Sequence, residues 1–276
     1  MTALPGSLRL GAAHLTVADL DRSVGFYQDV LGLRPHRREG GVAALGAGGE
    51  DLLVLHEEPG ARPGGRSAGL FHFALLSPSR AELARAVQRL AATRTQVDGA
   101  SDHGVSEAIY LRDPDHHGIE LYADRPRAAW PPPEAPGQRV GMYTRALDLD
   151  DLLATIGDDA LAAHAAPGLR MGHLHLHVGD LDAARAFYAD RLGLELMTTY
   201  PGALFLAAGG YHHHLGANTW AGEGVRPAPE GTARLLEWTM EFDDAAELEV
   251  VRERMGGDIA EDPWGIRLRF AGAPVQ

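Results

Sequence analysis

Three residues with chemical capacity stand within twenty residues of one another in the run SDHGVSEAIYLRDPDHHGIELY (101 to 122): His103, Tyr110 and Glu120. An imidazole near neutrality can move a proton, a phenol can donate to or accept from a bound oxygen, and a carboxylate can ligate a metal ion. The run reads as two strands joined by a tight turn at Asp113-Pro114. Side chains alternate between the faces of a strand, so Tyr110 and Glu120 can aim at one pocket if the turn sets the strands in register.

Two histidines extend this group to a candidate metal set of His14, His72 and Glu120. His14 opens the first strand of one unit, His72 sits on the first strand of a second, and Glu120 lies on the last strand of that second unit. With an approximate twofold between the units, His14 and His72 face each other across a cleft, and Glu120 needs only to point inward. Two imidazoles and one carboxylate on one face of an octahedral ion leave three positions open, which suits a non-haem Fe(II) enzyme. Zinc prefers a closed tetrahedron or one with a single vacancy. A lone histidine near a strand start is more often a hydrogen-bonded core or rim residue. Three coinciding residues argue for a metal, because an unpaired carboxylate buried there would be costly. His103 and Tyr110 would then act as catalytic groups beside the metal.

The elements that must position these groups come from a repeat. Residues 14 to 33, HLTVADLDRSVGFYQDVLGL, recur as residues 175 to 194, HLHVGDLDAARAFYADRLGL, with twelve of twenty positions identical and no gap. Each copy reads as a strand, a helix capped by Asp19 or Asp180, and a glycine stop before Leu33 or Leu194. A weaker copy follows in each half. GLFHFALLSP (69 to 78) is a strand, the helix after it is capped by Ser79, and three strands complete the unit. In the second half RLLEWTMEF, a helix from DDAAELEVVRERMGG, and DPWGIRLRF make a shortened counterpart. His72 to Glu120 is 48 residues, but the aligned Glu237 to Arg267 is 30.

These patterns predict an α+β fold of four βαβββ modules paired into two domains, each a curled mixed sheet around a cleft. The expected divisions are 1 to 126 for modules 1 and 2 with the metal site, 127 to 169 for a Pro-rich tether and helix, and 170 to 276 for modules 3 and 4. The 276 residues suffice for such a core. A net charge of −13, spread along the chain, disfavours nucleic acid and anionic membrane as partners. The absence of cysteine excludes disulfides, thiolate metal sites and cysteine nucleophiles. No leader pattern and no run of about 18 apolar residues occurs, so a soluble cytoplasmic protein is expected.

The run His103, Ile109, Tyr110, Asp113, Pro114 and Glu120 is similar to the signature of type I extradiol ring-cleavage dioxygenases of the vicinal oxygen chelate superfamily. The fourfold repeat resembles that superfamily across nearly the whole chain. The segments GLFHFALL, SDHGVSEAIYLRDPD, GIELYADRP and GGYHHHLGANTW resemble its bacterial catechol 2,3-dioxygenase-like group. This resemblance implies an iron enzyme, with Fe(II) or Mn(II) as cofactor and a catechol and O2 as substrates. Tyr110 would then hydrogen-bond a substrate oxygen, and His103 would stabilise bound oxygen and deliver a proton. A homo-oligomer is the expected assembly. The family usually has glycine where this chain has His116. It also carries another histidine on the last strand of the first module of its metal-bearing domain, where His56 is the only one available here.

A rival site lies in the second half. His173, His175 and His177 share one strand face, and His212 and His214 share another. By alignment His175 replaces His14, Glu237 replaces His72, and Arg267 replaces Glu120, and that cation would repel a divalent ion. The set His175, His214 and Glu237 could still ligate a metal in the manner of the related glyoxalases. Alternative activities are a glyoxalase-type metal-dependent isomerase or lyase, whose usual fourth ligand Leu53 cannot supply, and a non-catalytic ligand-binding resistance protein.

Overall fold

The computed structural model describes residues 3 to 273, and every helix start expected from the repeat carries its cap. Asp19 accepts from the N–H of Arg22, Ser79 from that of Glu82, and Asp180 from that of Ala183, each satisfying a donor the helix itself leaves free. Module 1 comprises β1 (Arg9–Val17), α1 (Leu20–Asp29), β2 (Arg34–Glu39), β3 (Val42–Gly46) and β4 (Asp51–Glu57). After a short β5 (Arg62–Pro63), module 2 comprises β6 (Gly69–Leu76), α2 (Arg80–Ala92), β7 (Val97–Asp102), β8 (Ser106–Arg112) and β9 (Gly118–Asp124). The Pro-rich tether carries β10 (Arg145–Ala146) and α3 (Leu149–Ala154).

Module 3 comprises β11 (Arg170–His177), α4 (Leu181–Arg185) continued by a π-helical turn to Arg191, β12 (Glu195–Tyr200), β13 (Ala203–Ala207) and β14 (Leu215–Asn218). Beyond β15 (Thr232–Ala233), module 4 comprises β16 (Leu235–Phe242), α5 (Ala245–Met255), β17 (Ile259–Glu261) and β18 (Arg267–Gly272). It has two strands after its helix where the others have three, as its length required.

The modules combine across the halves. One sheet of nine strands runs β10-β7-β8-β9-β6-β11-β14-β13-β12 and joins module 2 to module 3. The other, of seven, runs β17-β18-β16-β1-β4-β3-β2 and joins module 1 to module 4. The expected pairing, module 1 with 2 and module 3 with 4, is therefore not the one the hydrogen bonds make. A repeat shows that modules are equivalent, not which copy each meets, and the long connections between modules allow either choice. The tether also joins a sheet, since β10, exposed at both residues, adds to the edge of the nine-stranded sheet through β7.

The twofold logic survives with new partners. In the antiparallel β6·β11 pair His72 lies opposite His175, and in β1·β16 His14 lies opposite Glu237. Alternate residues of β6, Phe73 and Leu75, join Leu83 and Leu90 of α2 in the main apolar core. Burying a leucine of this kind contributes roughly 1.5–3 kcal/mol. The intervening His72 and Ala74 face the other side, where Ala74, Leu76, Ala108 and Tyr122 form a small cluster under Tyr110.

The tyrosine that both repeat copies share ties successive modules together. Tyr27 donates its hydroxyl to Asp113 at 2.8 Å, and Tyr188 donates to Asp262 at 2.7 Å. Each aspartate also accepts two backbone N–H groups of its own Asp-Pro turn: Asp115 and His117 in one, Trp264 and Ile266 in the other. The Asp113-Pro114 turn is thus a buried joint between modules 1 and 2.

Candidate active site

Glu120, His72 and a histidine of β11 meet on the face of the nine-stranded sheet turned away from its helices. Parallel pairing of β6 with β9 sets Ala74 beside Glu120, and antiparallel pairing of β6 with β11 sets Ala74 beside His173. Alanine at this crossing leaves the space between carboxylate and imidazole clear. One row along, His72 lies beside Gly118 and His175 beside Gly216. A β-carbon on Gly216 would stand 2.7 Å from the His175 ring, and one on Gly118 would meet His72 at 3.0 Å. Gly216 therefore makes room for the His175 imidazole, whereas Gly118 makes room for the Phe71 carbonyl and the β-carbon of His72.

Oε2 of Glu120 lies 3.0 Å from Nε2 of His72 and 3.1 Å from Nε2 of His173. All three residues are buried, and their ligand atoms lie within 4.8 Å of one another. Burial alone would push the Glu120 carboxyl up. The charge and hydrogen bond of His173, with His72 beside it, outweigh burial and hold it well below the usual carboxylate range. Burial pushes His173 down against the opposing pull of Glu120, and pushes His175 well down.

Several of these nitrogens lack protein partners. Nε2 of His72 approaches the carboxylate in a direction unsuited to a hydrogen bond, and Nδ1 of His173 and Nε2 of His175 are likewise buried without one. Orphaned polar atoms cost about 1–3 kcal/mol each, and an ion accepting the lone pair at Nε2 of His72 would relieve that one. Two imidazoles and one carboxylate fit a divalent ion in donor type and spacing.

Glu120, His72, His103, Tyr110, His175 and His213 line one cavity of about 290 Å³. Its apolar walls come from Phe71, Val105, Met142, Tyr200, Phe205 and Trp220, and among the described residues no arginine or lysine lines it. Tyr110 lies opposite Glu120 in the β8·β9 pair. Its hydroxyl is 2.8 Å from Nε2 of His103, whose Nδ1 lies 3.0 Å from the Tyr143 carbonyl. A carbonyl can only accept, so Nδ1 of His103 carries the proton and Tyr110 donates to Nε2. Burial, and then the negative charge of Glu120, push the Tyr110 hydroxyl well above its ordinary value and keep it protonated.

His14 stands apart from this group. It lies in the seven-stranded sheet, with Nδ1 3.0 Å from Nε2 of His56. The Glu237 carboxylate opposite it is taken by Arg269 at 2.5 Å and Arg267 at 3.3 Å. Module 1 meets module 4 and not module 2, so the twofold mate of His72 is His175, and His14 does not join His72 and Glu120. The rival set dissolves for the same reason: His175 and His214 belong with the nine-stranded sheet, and Glu237 with the other. Among the described residues, His72, Glu120 and His173 are the group whose ligand atoms converge.

Sequence reasoning placed neither His173 beside Glu120 nor His213 at this cavity. The alternation in GHLHLHV and the run HHH were visible as signals, but both were read as belonging to a separate half. His116 lies in a different cavity of about 280 Å³. Its φ of 68° is the left-handed conformation that glycine adopts at no steric cost.

Comparison with known proteins agrees with this architecture. The family model described as glyoxalase/bleomycin resistance protein/dioxygenase superfamily matches residues 9 to 121, and a bleomycin resistance protein-like N-terminal model matches residues 170 to 202. Glyoxalase I from Zea mays is similar in fold, with a TM-score of 0.56 at 19% identity, covering 96% of this chain and 92% of that one. The cppA protein from Streptococcus pneumoniae TIGR4 is similar at a TM-score of 0.57 and 15% identity, covering 96% and 99%. A protein named catechol-2,3-dioxygenase from Bacillus subtilis (strain 168) is 42% identical over 277 residues, 98% of this chain and 96% of its own. With that identity sustained over nearly its whole length, the chain belongs to the glyoxalase/bleomycin resistance protein/dioxygenase superfamily.

Proposed function

We propose that the chain is an extradiol dioxygenase that opens the ring of a catechol beside its two hydroxyls, using O2 and giving a 2-hydroxymuconic semialdehyde-type product. The observation that carries this reading is the convergence of His72, Glu120 and His173, the first two of which line a cavity that also holds the Tyr110–His103 pair. The whole-chain similarity to a protein named catechol-2,3-dioxygenase supports it.

His72, Glu120 and His173 would hold a divalent metal, Fe(II) by this reading. When bound, the ion supplies a meeting place for the diol and O2 and the electron exchange between them. The protein's own residues do the rest. Phe71, Phe205 and Trp220 bracket an aromatic ring, and the cavity volume suits a single one. The Tyr110 hydroxyl, with its proton given to His103, presents oxygen lone pairs that can accept from a substrate hydroxyl. A proton arriving there can pass on, because O–H cleavage at Tyr110 is matched by N–H formation at Nε2 of His103. No cation lines the cavity, so a catechol bearing a carboxylate would bury a charge unpaired, whereas an uncharged one would not.

The test is to reconstitute the protein anaerobically with Fe(II), add catechol and air, and follow O2 uptake and the yellow product. Turnover is expected, with 3,4-dihydroxybenzoate at least about tenfold poorer in kcat/KM, equivalent to roughly 1.4 kcal/mol. No turnover of catechol, with turnover of a hemithioacetal instead, would overturn the reading. Metal content of variants checks the ligands: Glu120→Ala and His173→Ala should lose iron. His175 is the twofold mate of His72 and lines the cavity. Iron lost in His175→Ala but kept in His173→Ala would make His175 the third ligand.

A further inference from the structure

His213 enters the cavity from behind a file of buried polar partners that the proposed reaction does not otherwise use. Its Nδ1 lies 2.8 Å from Nδ1 of His212, and Nε2 of His212 lies 2.8 Å from Oδ1 of Asp124. The Tyr211 hydroxyl donates to the same carboxylate at 3.0 Å and stands 2.8 Å from the hydroxyl of Tyr122. His212 is wholly buried, and Asp124 ends β9, the strand that carries Glu120. Among the described residues, Nε2 of His213 has no hydrogen-bond partner, and the ring lines the cavity.

The direction of each hydrogen bond in this file follows from what its members can donate. A carboxylate only accepts, and a neutral imidazole carries one N–H and one lone pair. Asp124 therefore takes the N–H at Nε2 of His212, which leaves Nδ1 of His212 as an acceptor. Among the described residues the one partner of that nitrogen is Nδ1 of His213, which must donate. Nε2 of His213 is then a bare lone pair facing the cavity.

From this file we infer that Asp124 and His212 are positioning residues that fix His213 in the tautomer whose Nε2 accepts a hydrogen bond from a hydroxyl of the bound diol. This rests on reading the cavity as the reaction site, and it adds an acceptor separate from Tyr110. Asp124 sets the polarity at the substrate from two rings away, by the arrangement that orients imidazoles in metal sites through an outer carboxylate.

The test uses the full chain labelled with 15N-histidine and loaded with diamagnetic Zn(II), with the His213 signals identified by their loss in His213→Gln. Nitrogen NMR should show Nε2 of His213 unprotonated and Nδ1 protonated. Asp124→Ala should reverse the two, whereas Asp124→Asn, whose amide oxygen still accepts, should keep them. With Fe(II) and catechol, Asp124→Ala should lower kcat/KM roughly 10–100-fold, and Asp124→Asn should recover most of that loss. A protonated Nε2 in the wild-type chain, or an unchanged tautomer in Asp124→Ala, would overturn the assignment. The wild-type spectrum decides even if a variant does not fold. A chain showing the assigned tautomer without catechol turnover would remove the proposed reaction and uphold the tautomer.

Discussion

Tyr110 shows how little of a residue's role is its identity and how much is its partner. The Tyr143 carbonyl, from the tether, fixes the proton of His103 and so the direction in which Tyr110 donates. Removing the phenol oxygen leaves the ring in place, so Tyr110→Phe should keep metal content and fold. It should lower kcat for catechol about 100-fold, within the usual range for a positioned proton donor. Steady-state O2 uptake with parallel iron analysis checks this. The types and spacing of His72, His103, Tyr110 and Glu120 were legible because they fall on one module with local strand alternation. His173 and His213 were not, because their relation to that module is set by the β6·β11 pairing, and no local pattern carries a partner's address.

At the scale of elements, the Asp-Pro turns do more than reverse the chain. Asp113 is buried and bound by Tyr27 from another module, and burial raises its carboxyl despite the bonds from His117 and Tyr27. Tyr27→Phe should therefore destabilise the protein by about 1–3 kcal/mol, the cost of stripping a donor from a buried acceptor. Urea denaturation measures it, and metal content should be unchanged. In the same turn His116 holds a left-handed backbone with no compensating side-chain hydrogen bond. His116→Gly should stabilise by about 0.5–1 kcal/mol, the relief of left-handed strain less the added freedom of the unfolded chain. The helices of the first three modules were legible from their caps at Asp19, Ser79 and Asp180. The first strand after the helix of module 1 was less so, since Arg34–Glu39 is an exposed, charged edge strand with no apolar alternation.

At the scale of the molecule, the buried histidines couple stability to pH. Burial and the surrounding imidazoles lower His214 to about 3, and His175 and His213 move the same way. The unfolded chain titrates near 6.5 and so binds more protons than the folded one between these values. Stability should therefore be complete above about pH 7 and fall as pH drops below about 6.5, by roughly 1.4 kcal/mol per unit for each such histidine. Denaturant unfolding of metal-free protein at several pH values reads this directly. The four-module repeat and its shortened last copy were legible in full. The pairing of modules was not, because equivalence under a repeat is blind to which copy lies next to which.

That pairing is nested: modules 2 and 3 join inside the span of modules 1 and 4. During synthesis β1 pairs early with β4 of its own module but waits for β16, near the end of the chain, to cover its other side. Module 2 waits less long for β11. The nascent chain therefore closes its reactive sheet first and leaves an unpaired β1 edge until β16 has been made. It is at that late closure that a crowded cell would have the longest chance to mispair it.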